Sequence, residues 1–176
     1  MPMKKPTNIM LVGFMGTGKT TVGRIVAEKL NKSFVDMDEV IEQQAGKAIS
    51  RIFADDGESH FRSLERQLVQ ELAAQENLVV AAGGGVVLDH RNIDDFNETG
   101  NTVCLLADPH TILGRVEKES HRPLLEGGDK AQKILGILES RRELYMAVPH
   151  KVDTTDLKPE QVVAEVIAIF SAAGGV

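Results

Sequence analysis

Tryptophan is absent from this 176-residue sequence, tyrosine occurs once, and aromatic residues make up only 4% of the chain. A hydrophobic core must therefore be built mostly from aliphatic side chains, and a hydrophobic fraction of 42% is ordinary for a globular protein. The single cysteine, Cys104, excludes an internal disulfide bond and a cysteine-based metal site. Because Cys104 lies in the apolar run 102–106, we expect it to be a buried strand residue rather than a nucleophile.

The sequence also lacks a long apolar run and an excess of positive charge. The apolar run 9–12, which follows a basic N-terminal stretch, is too short for a membrane span or for the core of a secretory signal peptide. We therefore expect a cytoplasmic protein with no membrane partner. The net charge of −6 argues against a general nucleic-acid binder, so an anionic ligand would need a local cluster of arginine and lysine.

Short apolar runs alternate with amphipathic stretches along the whole chain. This alternation predicts one α/β domain over residues 1–176, with three layers and a central five-stranded parallel sheet covered by helices on both faces. The predicted strands are 9–12, 33–35, 78–82, 101–106 and 150–152. The predicted helices are 20–30, 40–45, 59–74, one that opens at Pro109, 131–145 and 159–170. The polar, glycine-containing stretch at about 117–129 breaks this rhythm and predicts a mobile lid.

A phosphate-binding motif lies between the first predicted strand and the first predicted helix. Residues 13–20 read Gly-Phe-Met-Gly-Thr-Gly-Lys-Thr and fit the P-loop pattern G-x-x-x-x-G-K-[ST]. Glycines allow the backbone N–H groups to turn toward an anion, and the following helix N-terminus favours phosphate. Lys19 is suited to the β- and γ-phosphates and the Thr20 hydroxyl to Mg²⁺. The sequence therefore predicts ATP binding in a P-loop NTPase-type fold.

Two carboxylates, Asp36 and Asp38, follow the second predicted strand. Ligands of open α/β sheets bind at the carboxyl ends of the strands. Residues two apart on an extended segment face the same side, so both carboxylates could face the site. One would serve the water shell of the metal and the other the hydroxyl of an acceptor. The alternative for Asp38 is the N-cap of the helix that follows it.

Three further features carry charge or backbone freedom, although none is decisive alone. Arg62 lies four residues after Glu58 and three before Glu65, a spacing that allows helical salt bridges to hold its guanidinium group. Three consecutive glycines at 83–85 end the third predicted strand and suggest a close approach of the backbone to a ligand. Arg122 lies in the predicted lid, where a cation could close on phosphate.

Together these motifs resemble the shikimate kinase family over nearly the whole chain. The resemblance rests on the P-loop and on five more motifs in the same order. They are Phe-Val-Asp-Met-Asp at 34–38, Phe-Arg-Ser-Leu-Glu at 61–65, the triple glycine at 83–85, Arg-Pro-Leu-Leu at 122–125 and Arg-x-x-x-Tyr at 141–145.

The resemblance implies a function and a role for each matching residue. The expected reaction is the Mg²⁺-dependent transfer of the γ-phosphoryl group of ATP to the 3-hydroxyl of shikimate by a monomeric enzyme. The residues implied in catalysis are Lys19, Asp38 and Arg122. Those implied in ATP binding are Gly16, Thr17, Gly18, Lys19, Thr20, Thr21, Arg115, which would pack on the adenine, and Arg122. Those implied in shikimate binding are Asp38, Arg62, Gly83, Gly84, Gly85 and Arg141. Thr20 and, through water, Asp36 would serve Mg²⁺, and Glu65 would hold Arg62.

Two stretches depart from the family pattern. Ala81 and Ala82 stand where relatives often carry a hydroxyl residue, so either Asp36 or a water would take that place beside the metal. Residues 154–158 lack the arginine that some relatives place near the adenine. The sequence also leaves open another small-molecule P-loop kinase, for gluconate or a nucleoside monophosphate, and a regulatory nucleotide-binding module without transfer activity.

Overall fold

The computed structural model describes residues 4–118 and 129–175. Five parallel strands form one sheet in the order β2-β3-β1-β4-β5, which confirms the predicted fold class. The strands are β1 (Asn8–Val12), β2 (Ser33–Asp36), β3 (Leu78–Ala81), β4 (Gly100–Leu106) and β5 (His150–Asp153). The helices are α1 (Lys19–Leu30), α2 (Met37–Ala45), α3 (Ile49–Asp56), α4 (Glu58–Ala73), α5 (His90–Thr99), α6 (Pro109–Val116), α7 (Lys130–Met146) and α8 (Pro159–Ala172), with a 3₁₀ helix at Val86–Leu88.

The sheet is buried on both faces, as the alternation of side chains in β1 illustrates. Ile9 and Leu11 belong to a cluster that includes residues of α1 and α8. Met10 and Val12 point the other way, into a larger cluster with residues of α4, α5 and α7. Because successive strand side chains point to opposite faces, helices on both sides require continuous apolar strands, and all five residues of β1 are buried. Cys104 is buried in β4, as the sequence predicted.

Two helices that the sequence pattern did not predict flank the strands. In α3, the apolar residues Ile49, Ile52 and Phe53 have helical spacing, but the helix is only eight residues long. In α5, Ile93 and Phe96 are the apolar contacts of an otherwise polar helix, and Asp89 caps its N-terminus by accepting a hydrogen bond from the Arg91 N–H at 3.1 Å. Few apolar positions in a short helix give a weak periodic signal.

The predicted lid cannot be compared with the structure, because residues 119–128 lie outside the described ranges. Within those ranges, no helix has the length and apolar character needed to cross a membrane.

Candidate active site

A cleft of about 200 Å³ opens at the carboxyl ends of β1, β2 and β3. Its position follows the general rule for ligands of parallel α/β sheets. Most of the predicted site residues line it, although they come from distant parts of the sequence. They are Gly16, Gly18, Lys19, Thr20, Thr21, Asp36, Asp38, Arg62, Gly83, Gly84, Gly85 and Arg141.

The P-loop connects β1 to α1 in the conformation that the motif requires. Gly16 and Gly18 have φ angles of +77° and +95°, a region in which side chains other than glycine are strained. Gly18 is also the N-cap residue of α1, and among the described residues no side chain caps this helix end. The N–H groups of its first turn are therefore available to an anion, and the helix dipole favours negative charge there.

Lys19 and Thr17 stabilise the loop through its own carbonyl groups. The Lys19 ammonium group donates hydrogen bonds to the carbonyl oxygens of Gly13 and Phe14, at 2.7 and 2.9 Å. The Thr17 hydroxyl donates to the Phe14 carbonyl oxygen at 2.8 Å, and Thr17 is almost fully buried. The Thr17 side chain is therefore part of the loop interior, so an ATP contact from this residue would come from its backbone.

Asp36 and Asp38 both line the cleft, but not for the reason inferred from the sequence. Strand β2 ends at Asp36, and Asp38 is the second residue of α2, so the two do not alternate on one extended segment. The helix cap is also Asp36 rather than Asp38. Its Oδ1 accepts hydrogen bonds from the N–H groups of Asp38 and Glu39, at 3.0 and 3.3 Å. An early helix start at Met37 accounts for both corrections.

Arg62 is held by the two glutamates that the helical spacing predicted. Its Nη1 donates to Glu65 at 2.9 Å and its Nη2 to Glu58 at 3.3 Å. Glu65 is only 2% exposed. Burial raises the pKa of Glu65 above its ordinary range, the Arg62 charge and hydrogen bond oppose that change, and nearby Asp38 adds to it. The predicted salt bridges are thus confirmed, and Glu65 ties Arg62 to the wall of the cleft.

The triple-glycine turn (residues 83–85) touches each part of the site. A Cβ atom on Gly83 would lie 3.1 Å from Oδ1 of Asp38 and 3.2 Å from Oε2 of Glu65. One on Gly85 would overlap the guanidinium group of Arg62, at 2.6 Å from its Cζ. Gly83 and Gly85 thus allow these side chains to approach the turn closely, and the close approach to a ligand that the sequence suggested stays a prediction.

Arg141 brings a second cation, which unlike Arg62 is buried, to the same cleft. It lies on α7 and is 5% exposed. A Cβ atom on Gly84 would lie 3.6 Å from Nη1 of Arg141 and 3.6 Å from the backbone nitrogen of Met15. Gly84 thus separates Arg141 from the P-loop by little more than one atomic layer.

Arg115 lies at the back of the P-loop, on α6. Its Nη1 donates to the Gly16 carbonyl oxygen at 3.0 Å and to the Thr154 hydroxyl at 3.2 Å, and its Nη2 donates to the Thr154 carbonyl oxygen at 3.2 Å. Thr154 is 2% exposed and begins the stretch that lacks the arginine of some relatives. Arg115 therefore joins the P-loop to the loop after β5, and packing on the adenine stays a prediction. Arg122 lies outside the described residues.

Sequence reasoning missed the apolar wall of the cleft. Ile49 and Phe53 of α3 line it together with Phe61 of α4, and the rings of Phe53 and Phe61 lie 4.9 Å apart. The helical spacing of Ile49, Ile52 and Phe53 was the signal that could have identified α3. Ala81 and Ala82 also line the cleft, so no side-chain hydroxyl is present at these two positions.

Comparison with known proteins gives a consistent family assignment. A model of the shikimate kinase family matches residues 15–171. A shikimate kinase of Pelotomaculum thermopropionicum is 46% identical over 160 residues, which are 91% of this chain and 93% of the relative. A solved shikimate kinase of Acinetobacter baumannii, in complex with shikimate, has a TM-score of 0.89 and 34% identity, and the match covers 95% of this chain and 94% of that one.

A more distant structure marks the limit of the fold as a guide to function. A gluconokinase of Sinorhizobium meliloti has a TM-score of 0.63 but only 19% identity, with 96% of this chain and 94% of that one covered. At that identity, the likeness shows a shared fold alone.

Proposed function

The chain belongs to the shikimate kinase family of ATP-dependent phosphotransferases, and we propose that its cleft transfers the γ-phosphoryl group of ATP to the 3-hydroxyl of shikimate. The products are shikimate 3-phosphate and ADP. Phosphoryl transfer depends on positioning and charge stabilisation more than on covalent participation by the protein. The proposal therefore depends on where the cations and hydrogen-bonding groups lie.

One observation carries the proposal: two anion-binding groups of residues share one cleft and meet at Gly84. At one end are the P-loop backbone and Lys19, which suit the phosphates of ATP. At the other end are Arg62 and Arg141, which suit a carboxylate because a guanidinium group binds one with two parallel hydrogen bonds. A small anionic acceptor placed between them has its hydroxyl groups close to the phosphates.

The nucleotide half requires a change of partner at Lys19. Its ammonium group lies on the carbonyl oxygens of Gly13 and Phe14 in the structure, where it is pre-positioned at the base of the loop. When ATP binds, we propose that it turns to the β- and γ-phosphates and offsets the charge that develops there. Thr21, at the start of α1, lines the same part of the cleft, and Arg122 would contribute from the segment outside the described residues.

The acceptor half combines a carboxylate clamp with one residue that receives the hydroxyl. Arg62 and Arg141 bind the carboxylate of shikimate, and Glu65 fixes Arg62 through the hydrogen bond at 2.9 Å. Asp38 lies beside Gly83 and Glu65, where it orients or deprotonates the attacking hydroxyl. The apolar wall from α3 and α4 faces the ring. We accordingly propose residues 37–66 as the acceptor-binding region.

The residues at the base of the cleft also fit Mg²⁺. Oδ2 of Asp36 and the hydroxyl of Thr20 are hard oxygen donors, and they lie within hydrogen-bonding distance of each other at 3.0 Å. Thr20 would bind the ion directly and Asp36 would hold one of its waters. When bound with ATP, Mg²⁺ neutralises charge on the β- and γ-phosphates. One chain supplies the phosphate-binding, metal-binding and acceptor-binding side chains named above, so the proposed reaction needs no residue of a second subunit. We propose that the enzyme acts as a monomer.

An acceptor panel with an ADP-coupled assay tests the proposal. Shikimate should give turnover well above the background without acceptor, whereas gluconate and nucleoside monophosphates should not, and phosphorus NMR should show one new phosphomonoester. The Lys19→Ala variant should lose transfer to every acceptor. Turnover with another acceptor but not with shikimate would contradict the acceptor assignment. ATP binding without a product from any acceptor would favour a regulatory module.

A further inference from the structure

Tyr145 is the only tyrosine of the chain, and its hydroxyl reaches the triple-glycine turn from α7. The hydroxyl donates a hydrogen bond to the Gly84 carbonyl oxygen at 2.5 Å, and the side chain is 2% exposed. Tyr145 also lies one helical turn after Arg141, so the two side chains share one face of α7. Its hydroxyl therefore reaches the turn from the same face of α7 that carries Arg141.

The phenol lies near a cation as well as its carbonyl acceptor. Burial raises the pKa of Tyr145 to about 12, and the nearby charge of Arg141 acts in the opposite direction. The phenol is therefore protonated at neutral pH and donates to the Gly84 carbonyl oxygen. Gly84 itself lies against Arg141, since a Cβ atom on Gly84 would be 3.6 Å from Nη1 of that arginine.

Among the three carbonyls of the turn, that of Gly84 is the one without a hydrogen bond from the neighbouring backbone within the described residues. The Gly83 carbonyl oxygen accepts a hydrogen bond from the Val86 N–H at 3.1 Å, and that of Gly85 accepts one from the Leu88 N–H at 3.0 Å. The middle carbonyl has Tyr145 instead. Glycine has the largest backbone freedom of any residue, so a turn of three glycines requires such external contacts to keep one conformation.

We propose that Tyr145 is a positioning residue for the acceptor: its hydroxyl fixes the Gly84 peptide and Arg141 in one mutual geometry. This inference rests on the proposed function, because the group positioned is the carboxylate clamp for shikimate. Gly84 also lies against the P-loop at Met15, so the same contact sets the distance between the acceptor end and the phosphate end of the cleft. A purely structural role for Tyr145 would instead lie in its ring, which packs in the core.

Tyr145→Phe separates the two roles, because it removes the hydroxyl and keeps the ring. We expect the KM for shikimate to rise about tenfold, since the Gly84 carbonyl loses its donor and the turn beside Arg141 loses its fixed position, while the KM for ATP changes less than twofold. The matched control is Thr99→Val, which removes a hydroxyl that donates to the Ala73 carbonyl oxygen at 2.9 Å, far from the cleft. It should lower thermal stability and leave both KM values unchanged.

A double-mutant cycle tests whether Tyr145 acts through Arg141. In an Arg141→Lys background, the additional Tyr145→Phe change should raise the KM for shikimate less than twofold, because the clamp is already misplaced. An undiminished tenfold rise in that background would overturn the coupling. An unchanged KM for shikimate in Tyr145→Phe, or an equal rise of both KM values, would overturn the proposal.

The intrinsic fluorescence of the wild type gives a readout that needs no variant. Since the chain has no tryptophan and one tyrosine, its emission comes from Tyr145. Shikimate should change this emission with saturation, and ADP alone should leave it within a few per cent; the reverse pattern contradicts the proposal. Should the wild type fail to phosphorylate shikimate, the proposed function fails, and this inference with it. If the wild type phosphorylates shikimate and the Tyr145→Phe variant has normal KM values, the proposed function stands and only the inference about Tyr145 is overturned.

Discussion

The Thr20 hydroxyl donates a hydrogen bond to Oδ2 of Asp36 at 3.0 Å, and it thereby joins the end of the P-loop to the end of β2. The other oxygen of the same carboxylate caps α2. Asp36 thus has a structural role through Oδ1 and a proposed metal role through Oδ2. Substitutions that remove the charge but keep a capping oxygen can separate the two roles.

The first prediction concerns this division of roles at Asp36. Asparagine is as good a helix cap as aspartate, so Asp36→Asn should change the free energy of unfolding by less than about 0.5 kcal/mol, whereas Asp36→Ala should lower it by about 1 kcal/mol. Both should raise the Mg²⁺ concentration for half-maximal activity, because both remove the charge. The measurements are urea denaturation and a Mg²⁺ titration of activity. A normal Mg²⁺ requirement in Asp36→Asn would remove this residue from the metal site.

The second prediction concerns the clamp. Arg62→Ala should weaken shikimate binding by about 2–5 kcal/mol, about 30-fold or more, because it removes a carboxylate partner and leaves buried Glu65 without its cation. ATP affinity should change little. Arg66→Ala is the matched control, since Arg66 lies one turn later on α4 and pairs with Asp95 at 2.7 Å. Calorimetric titration measures the affinity of each variant for shikimate and for ATP. Equal losses of affinity for both ligands in Arg62→Ala would contradict the assigned position of Arg62.

The third prediction concerns the contact between Gly85 and Arg62. Gly85→Ala places a methyl group where the guanidinium group lies, so Arg62 must move, and kcat/KM for shikimate should fall by about 10- to 100-fold. The matched control is Gly136→Ala in α7, where a Cβ atom has no described neighbour within 4 Å. That change should raise the free energy of unfolding by about 0.5–1 kcal/mol and leave activity unchanged. Normal shikimate kinetics in Gly85→Ala would show that the turn tolerates a side chain.

The fourth prediction concerns the pH dependence that burial of Glu65 creates. Burial raises its pKa above the ordinary value of 4.5, so from that pH upward the folded protein binds a proton that the unfolded chain releases. The stabilisation is thus complete below pH 4.5 and is lost as pH rises through the raised pKa. Glu65→Gln removes this contribution.

Urea denaturation of wild type and Glu65→Gln between about pH 4.5 and 7.5 measures the effect. The free energy of unfolding of the wild type should fall relative to that of the variant as pH rises. Glu58→Gln, which alters the 53% exposed partner of the same arginine, isolates the effect of burial. If the free energy of unfolding of the wild type instead rose relative to that of Glu65→Gln as the pH increased, the raised pKa of Glu65 would be contradicted.

Much of the fold was predictable because its signals are local. The apolar runs located all five strands, and the P-loop motif located the turn that its glycines require, with Gly16 and Gly18 at positive φ. Helices α3 and α5 were missed because each shows few apolar positions on its buried side. The Asp36 and Asp38 geometry was wrong for a related reason: the helix starts at Met37, two residues earlier than a cap at Asp38 implies, and this changes which carboxylate caps it.

By itself, the sequence determined the phosphate-binding loop, the five strands in their order along the chain, and the salt bridges of Arg62, because each depends on residues a few positions apart. Only the tertiary structure decided that Arg62, Gly84 and Arg141 meet in one cleft, and that Tyr145 holds the middle carbonyl of the triple-glycine turn. Tyr145 and Gly84 are 61 positions apart. Their contact depends on how α7 packs against the 3₁₀ helix that follows the turn, and no local pattern encodes that packing.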